Sequence, residues 1–342
     1  MRNYRESVRL KRRSVWPIAL VVFVFTSLSV ALGAVTAVNH SIDAVHVVPE
    51  LSKVLSPPTP GIVNYLMVGS DSRSGFSSPA DDPYAVGSES LGLGQRSDTM
   101  IVMRYDAESG SISLLSIPRD LYVPISGAGK DDRINSAFSR GPDILVKTVQ
   151  NVLGIPIHHY LEVDLLGFQR VVDAIKGVNI CVPHSARDTH IGLILLYPGC
   201  YQMNGQLALA YARSRFYEEK IDGEWHIDGT SDIGRSTRQR AFIIAMIKQS
   251  AKYAAAHPFE TSSILRDLAK SIRVDPNLEI TKFARRMRKV ADGTSTSFKL
   301  PVENARVDHQ DVLTILQDSA APILKYFAGK GPMPADGQTT VS

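Results

Sequence analysis

Short β-rich apolar runs alternate along residues 61–328 with longer stretches of helical periodicity, and an unbroken apolar run lies ahead of them at residues 14–38. The short runs predict strands at 62–68, 100–105, 112–117, 160–163 and 178–182. The periodic stretches predict helices at 142–152, 165–176, 235–254, 262–271 and 278–290, the second of them closed by Gly177 as a C-terminal glycine. Strands interleaved with helices in this way make an α/β layered fold.

The turn Asp106-Ala-Glu-Ser-Gly110 between two of the strands reads as a hairpin loop. An antiparallel pair there sets the start of one strand, Arg96-Ser-Asp98, beside the end of the other, Pro118-Arg119-Asp120. If the strand at 62–68 runs parallel to the one at 112–117, its exit, Gly69-Ser-Asp71-Ser-Arg73, joins the same edge. Three charged clusters then meet where open α/β sheets bind ligands, beyond the carboxyl ends of strands.

The run SVWPIALVVFVFTSLSVALGAVTAV at 14–38 carries no charge and follows Arg2, Arg5, Arg9, Lys11, Arg12 and Arg13. About 20 apolar residues cross a bilayer as a helix, and flanking cations hold the short side in the cytoplasm. Residues 1–13 are therefore expected as a cytoplasmic tail, 14–38 as a single-pass transmembrane signal-anchor, and everything after about residue 40 outside the cell. A cleaved leader is the competing reading, since ALGA and AVTA offer small residues near the end of the run. Its length exceeds the about 7–15 residues of a leader's apolar core, which favours the anchor. Residues 39–60, ending in SPPTP, read as an extended spacer, 61–328 as one extracytoplasmic domain, and the tail 329–342 as disordered.

Charge narrows the function classes. The chain's net +4 is carried by the tail, where six Lys/Arg and one Glu give +5 and leave −1 for the rest. An exported domain that is not basic lacks the footprint of a nucleic-acid binder, so any anion site must be local. Both cysteines, Cys181 and Cys200, lie in the exported part and are expected to form a disulfide, contributing about 3 kcal/mol in the chain-entropy model. Two cysteines make no metal site, and no HExxH spacing occurs among the nine His.

The residues with chemistry are Arg and Asp at strand ends rather than nucleophile patterns. There is no GxSxG elbow. Gly92-Leu-Gly94-Gln-Arg-Ser97 lacks the third glycine of a dinucleotide fingerprint, and Gly127-Ala-Gly129-Lys130 lacks the upstream glycine and the Ser or Thr of a P-loop. The cationic positions are Arg73, Arg96, Arg119, Arg213, Arg215, Arg235 and Arg238, with Gln239 beside them. Arg213 and Arg215 in YARSRF alternate as strand or extended positions, so both point to one face. On the helix from 235, residues 235, 238 and 239 share a stripe that continues as Phe242 and Met246. Guanidiniums leading into large apolar groups suit an amphiphile with an anionic head and a hydrocarbon tail, because Arg matches phosphate oxygens in bidentate fashion. Core packing of Phe242 and Met246, and surface ion pairs for the arginines, are the competing reading. Asp71 and Asp98 are the natural ligands for a divalent metal, unless they serve as helix caps or arginine partners. Asp120 is expected to orient arginines, and His158 and His159 to be structural.

In their order these segments resemble the LytR-CpsA-Psr family of bacterial cell-envelope proteins. The resemblance is carried by GSDSR at 69–73, RSDTM at 96–100, SIPRD at 116–120, RINSAF at 133–138, GFQRVVDAIKGV at 167–178, LALAYARSR at 207–215 and GRSTRQR at 234–240. It implies an α/β/α sandwich with a central mixed sheet, behind one N-terminal transmembrane helix. It further implies a Mg2+- or Mn2+-dependent phosphotransferase that moves a glycan from a polyprenyl pyrophosphate onto peptidoglycan at the membrane. Arg96, Arg119, Arg213, Arg215 and Arg235, with Gln239, would hold the pyrophosphate. Asp71 and Asp98 would hold the metal, or one would act as base, with Arg119 among the catalytic groups. RINSAF departs from relatives that begin with Lys. The insert FYEEKIDGEWHIDGTSD and the cysteine pair look like the actinobacterial branch, where the glycan would be arabinogalactan. A polyprenyl-pyrophosphate phosphohydrolase and a non-catalytic lipid-binding or regulatory module are the alternatives.

Overall fold

The computed structural model describes residues 46–70, 97–228, 232–256, 272–291, 294–335 and 338–340. Its central sheet is built from β1 (His46–Val47), β2 (Ile62–Ser70), β3 (Ser97–Asp106), β4 (Ile112–Ile117), β5 (His159–Asp164), β6 (Ile272–Val274), β7 (Ser295–Lys299) and β8 (Gln338–Thr340). The order across the sheet is β1-β6-β5-β2-β3-β4-β7-β8. The described helices are α1 (Asn135–Arg140), α2 (Pro142–Leu153), α3 (Leu165–Ala174), α4 (Gly205–Arg213), α5 (Asp232–Ala256), α6 (Ile280–Ala291) and α7 (Gln317–Phe327).

The sheet is mixed. β2 runs antiparallel to β3 and parallel to β5, while β4 runs antiparallel to β3 and parallel to β7. The carboxyl ends of β2, β4, β5 and β7 therefore open onto one edge, where β3 begins. The β3–β4 hairpin follows from its turn: Asp106 Oδ1 accepts from the backbone N–H groups of Glu108 and Ser109, and Gly110 takes the left-handed φ of 69° that closes the loop.

β2 is buried almost throughout, as expected of a strand covered on both faces. Tyr65 turns to one face, edge-on to Phe283 of α6 with ring centroids 5.0 Å apart. Asn64 turns to the other, where its side-chain amide donates to the carbonyls of Pro156, just beyond α2, and Phe327 of α7, both at 2.8 Å. The result is a sheet between two helical layers, held by a continuous apolar core.

Helix ends obey local chemistry. Pro142 opens α2, and Gly154 closes it at φ 65°. Asp164 caps α3 by accepting from Gly167 N at 2.7 Å, and burial of its carboxyl pushes its pKa up. α3 ends at Ala174, earlier than the expected 176, with Gly177 completing the turn through a 2.8 Å bond to Val172 O.

Several expectations need correction. Residues 46–55, assigned to the spacer, belong to the domain: β1 pairs with β6, and Val48 and Leu51 are buried in the core. The tail is not wholly disordered, since β8 pairs with β7 along the sheet edge. Residues 211–213, expected as strand or extended with the rest of YARSRF, instead form the last turn of α4, a helix capped by Asn204. The helix at 262–271 and the apolar run at 14–38 lie outside the described residues. Among the described residues no helix is long and apolar enough to cross a membrane.

Outside the central sheet, a ribbon pairs Val178–Val182 with Gly199–Met203, and Cys181 and Cys200 are register partners joined as a disulfide. A small four-stranded sheet contains Ala186–Asp188 and the hairpin of Glu218–Ile221 with Glu224–Ile227, the latter formed by the long insert.

Candidate active site

Pairing of Met100 with Ile117 carries the antiparallel register to the level where residue 98 of β3 faces residue 119, just beyond β4. Ser70, the last residue of β2, pairs with Ser97 on one side and with Asp164 at the exit of β5 on the other. The expected convergence of strand ends on one edge is therefore met. Asp98 lies in this edge as the second residue of β3. Asp71, Arg73 and Arg96 lie outside the described residues.

Arg119 leaves β4 and is held in place by its own backbone. Its carbonyl accepts from Asn135 N at the start of α1, and its Nε reaches Asp120 at 3.3 Å. Asp120 also lies 3.5 Å from Nε of Arg133, the first residue of RINSAF, whose other end donates to Asp311 O at 2.9 Å. Asp120 thus orients two arginines.

The first turns of α5 gather the remaining groups. Gln239 donates from Nε2 to Ala212 O at 3.0 Å, Arg238 donates to Ser214 O at 3.0 Å, and Arg240 donates to Ser116 Oγ at 3.2 Å. One helix end is thereby fastened both to the carboxyl end of α4, beside Arg213, and to the penultimate residue of β4, three residues before Arg119. Arg213 is the final residue of α4 and is buried, as is Arg235 one turn before Gln239. A helix amino end favours anions through its exposed N–H groups and its dipole.

Two predicted contacts change their meaning. Arg238 bonds Asp228 at 2.7 Å and lies over the ring of Tyr217 at 4.1 Å, so its charge is committed to joining α5 to the insert. Phe242 and Met246 are completely buried, Phe242 between Phe168 and Tyr211, so they present no surface to a hydrocarbon chain. Periodicity placed them on the arginine stripe correctly, but the stripe passes from the sheet edge into the core as the helix runs inward. Arg213 and Arg215 likewise do not alternate along a strand. Arg213 closes a helix, and Arg215 follows in a loop.

That loop is organised by a residue with no sequence signal. Asp188, fully buried, accepts from Ser214 Oγ at 2.8 Å and from the backbone N–H groups of Arg215 and Phe216 at 3.1 and 3.0 Å. A lone Asp in a short strand of the small sheet betrays nothing of this, because its partners are 26–28 residues away.

Among the described residues no three His, Cys, Asp or Glu side chains group as a metal site. Carboxylates are the hard oxygen donors a Mg2+ ion takes, and of the two expected ones Asp98 lies in β3 while Asp71 is outside the described residues.

A mixed α/β domain in which Arg119, at the exit of β4, and the helices α4 and α5 that carry Arg213 and Arg235 meet at the carboxyl edge of the sheet is the class this fold defines. Residues 32–327 match the model of the LytR_cpsA_psr family, and the chain belongs to that family. It is 32% identical over 262 residues to the polyisoprenyl-teichoic acid–peptidoglycan teichoic acid transferase TagU of Halalkalibacterium halodurans, covering 74% of this chain and 81% of that protein. It is 33% identical to a Corynebacterium glutamicum protein named "Probable cell wall biosynthesis protein LcpB" over 65% of this chain, and spans half that protein's length. Its fold is shared with a LytR-Csp2A-Psr enzyme from Actinomyces oris at a TM-score of 0.61, 22% identity, 86% of this chain and 99% of that one. It is shared equally with TagT bound to LIIa-WTA at a TM-score of 0.59, 22% identity, 81% of this chain and 94% of that one.

Proposed function

We propose that this protein transfers a cell-wall glycopolymer from a polyprenyl-pyrophosphate carrier onto peptidoglycan. The observation that carries the reading is the fastening of α5 to both Ala212 and Ser116, which gathers Arg235, Gln239, Arg213 and Arg119 around one sheet edge. The names of TagU and LcpB, a teichoic acid transferase and a cell wall biosynthesis protein, support the same class of reaction. Arabinogalactan is the glycan that the insert and the cysteine pair favour.

In this reaction a hydroxyl oxygen of the acceptor attacks the phosphorus that bears the glycan. The new P–O bond forms as the P–O–P bridge breaks, polyprenyl phosphate departs, and the hydroxyl proton passes to a base. Negative charge grows on the transferring group and on the leaving phosphate, so fixed cations lower the barrier more than they stabilise the bound substrate. Arg119, Arg213, Arg215 and Arg235 bind the two phosphates, while Asp188, Asp120 and Gln239 hold those arginines and their backbone in place. Arg238 acts as a brace through Asp228. Asp71 and Asp98 would hold Mg2+, which when bound withdraws charge from the phosphoryl oxygens. The run at 14–38 would tether the domain to the membrane that contains its donor.

The test uses the full-length protein in detergent with a short-chain prenyl-pyrophosphate saccharide and a peptidoglycan oligomer, with and without Mg2+, read by mass spectrometry. A phosphodiester-linked conjugate, lost with chelator and reduced about 10–100-fold in Arg119→Ala and Arg235→Ala with folding intact, is the expected result. Prenyl phosphate without conjugate would make the protein a hydrolase, and intact bound lipid would make it a binding module.

A further inference from the structure

Arg240 is the largest fully buried side chain among the described residues, at 1% exposure, and it forms no ion pair with any of them. Its guanidinium donates to Ser116 Oγ at 3.2 Å and to Thr237 Oγ1 at 3.1 Å, both neutral, and its Nε has no hydrogen-bond partner among the described residues. Burial alone pushes its pKa down to about 10. Removing a charge from water without a partner is among the most costly arrangements a fold can hold. A purely structural tie between a helix and a strand needs no such charge.

The strand beside it shows what the charge faces. Ser116 is the register partner of Lys299, the last residue of β7, and partners in a parallel pair point to the same face. Lys299 is only partly buried and forms no ion pair or hydrogen bond with the described residues. Its ammonium is held below its usual pKa by burial and then by the nearby charge of Arg240, with Asp228 opposing. Asp228 offsets this only in part, since its carboxylate also bonds Arg238 at 2.7 Å. Two cations thus share the carboxyl ends of β4 and β7, the edge at which Arg119 emerges.

We propose that Lys299 is a further phosphate-binding residue at this edge and that Arg240 is the buried positioning cation behind it, together forming an inner anion subsite for one phosphate of a pyrophosphate group. Lys299 contacts the anion directly. Arg240 reaches it only through Ser116 and through its field, which is strong because water is excluded around it. The inference rests on the pyrophosphate reading of the site and assigns it two residues outside the arginine set named above.

The test is calorimetric titration of inorganic pyrophosphate into the full-length protein in detergent, with thermal melting recorded for each variant. Lys299→Gln and Arg240→Gln should each weaken binding about tenfold. Lys299→Arg and Arg240→Lys, which keep the charge, should stay within about threefold of the parent even where the melting temperature falls. Arg235→Ala serves as the comparator. Normal binding in both Gln variants alongside a loss in Arg235→Ala would overturn the inner subsite and leave the arginine reading standing. Equal losses in Arg240→Gln and Arg240→Lys would make Arg240 a structural tie and overturn its part. A parent protein that does not bind pyrophosphate would overturn both the subsite and the reading beneath it.

Discussion

The carboxylate of Asp188 accepts a 2.8 Å hydrogen bond from the hydroxyl of Ser214, a residue standing between two candidate phosphate-binding arginines. The same oxygen takes the backbone N–H groups of Arg215 and Phe216. One buried acid therefore sets the shape of the segment that presents Arg213 and Arg215. Asp188→Ala leaves four donors without an acceptor, the backbone N–H of His190 among them, and should destabilise the protein by about 2–4 kcal/mol. Asp188→Asn, which keeps one acceptor oxygen, should melt closer to the parent yet still bind pyrophosphate more weakly. Thermal melting beside calorimetry separates the two effects.

Gly205, at the start of α4, lies against the backbone of α3. A Cβ there would sit 2.4 Å from Gln169 O and 2.7 Å from Gln169 Cα, atoms that cannot swing aside. Gly205→Ala should cost about 1–3 kcal/mol by forcing the helices apart, and the shift should reach Arg213 at the far end of α4. A denaturant midpoint equal to that of the parent would refute the packing account.

His158 is buried and neutral. Its Nδ1 accepts from Asn64 N at 2.8 Å, which leaves Nε2 to carry the proton toward Thr59 Oγ1 at 3.0 Å. Burial first, then the charges of His159 and Arg286, lower its pKa from 6.5 to about 4. Between those values the unfolded chain binds the proton and the folded one does not, so stability is full above pH 6.5 and falls as pH drops toward 4. The loss should be about 2 kcal/mol after allowing for relaxation around the ring. Urea midpoints across this range should show a slope that flattens in His158→Gln.

The Cys181–Cys200 bond closes a separation of 19 residues and clamps the ribbon that leads into α4. Reduction, or the double Cys→Ser variant, should lower stability by about 3 kcal/mol in the chain-entropy model. Melting with and without reductant measures it, and an unchanged melting temperature would show that the ribbon holds without the bond.

The edge of the sheet is legible in the sequence because its elements are local. A hairpin with Asp106 and Gly110 in its loop sets an antiparallel pair, and that pair aligns residue 98 with residue 119 by counting alone. The α5 stripe of Arg235, Arg238 and Gln239 was equally legible, since helical spacing fixes which side chains share a face. What spacing could not give was each partner's depth. Arg238 turned to Asp228, and Phe242 and Met246 sank into the core, because the path of α5 over the sheet is a tertiary property. Arg240 escaped notice because it stands one residue beyond the stripe, about a quarter-turn round the helix. Lys299 escaped because β7 was not among the predicted strands.

By itself the sequence determined the α/β class, the strand-end clusters, the cysteine pairing and the family, since each rests on near neighbours in the chain or on a motif series. Only the tertiary structure decided that Asp188 anchors Ser214, that residues 46–55 belong to the domain, and that Arg240 lies buried beside Lys299. These relationships join segments tens of residues apart, and their energies come from burial and charge balance, quantities that exist only once the chain has folded.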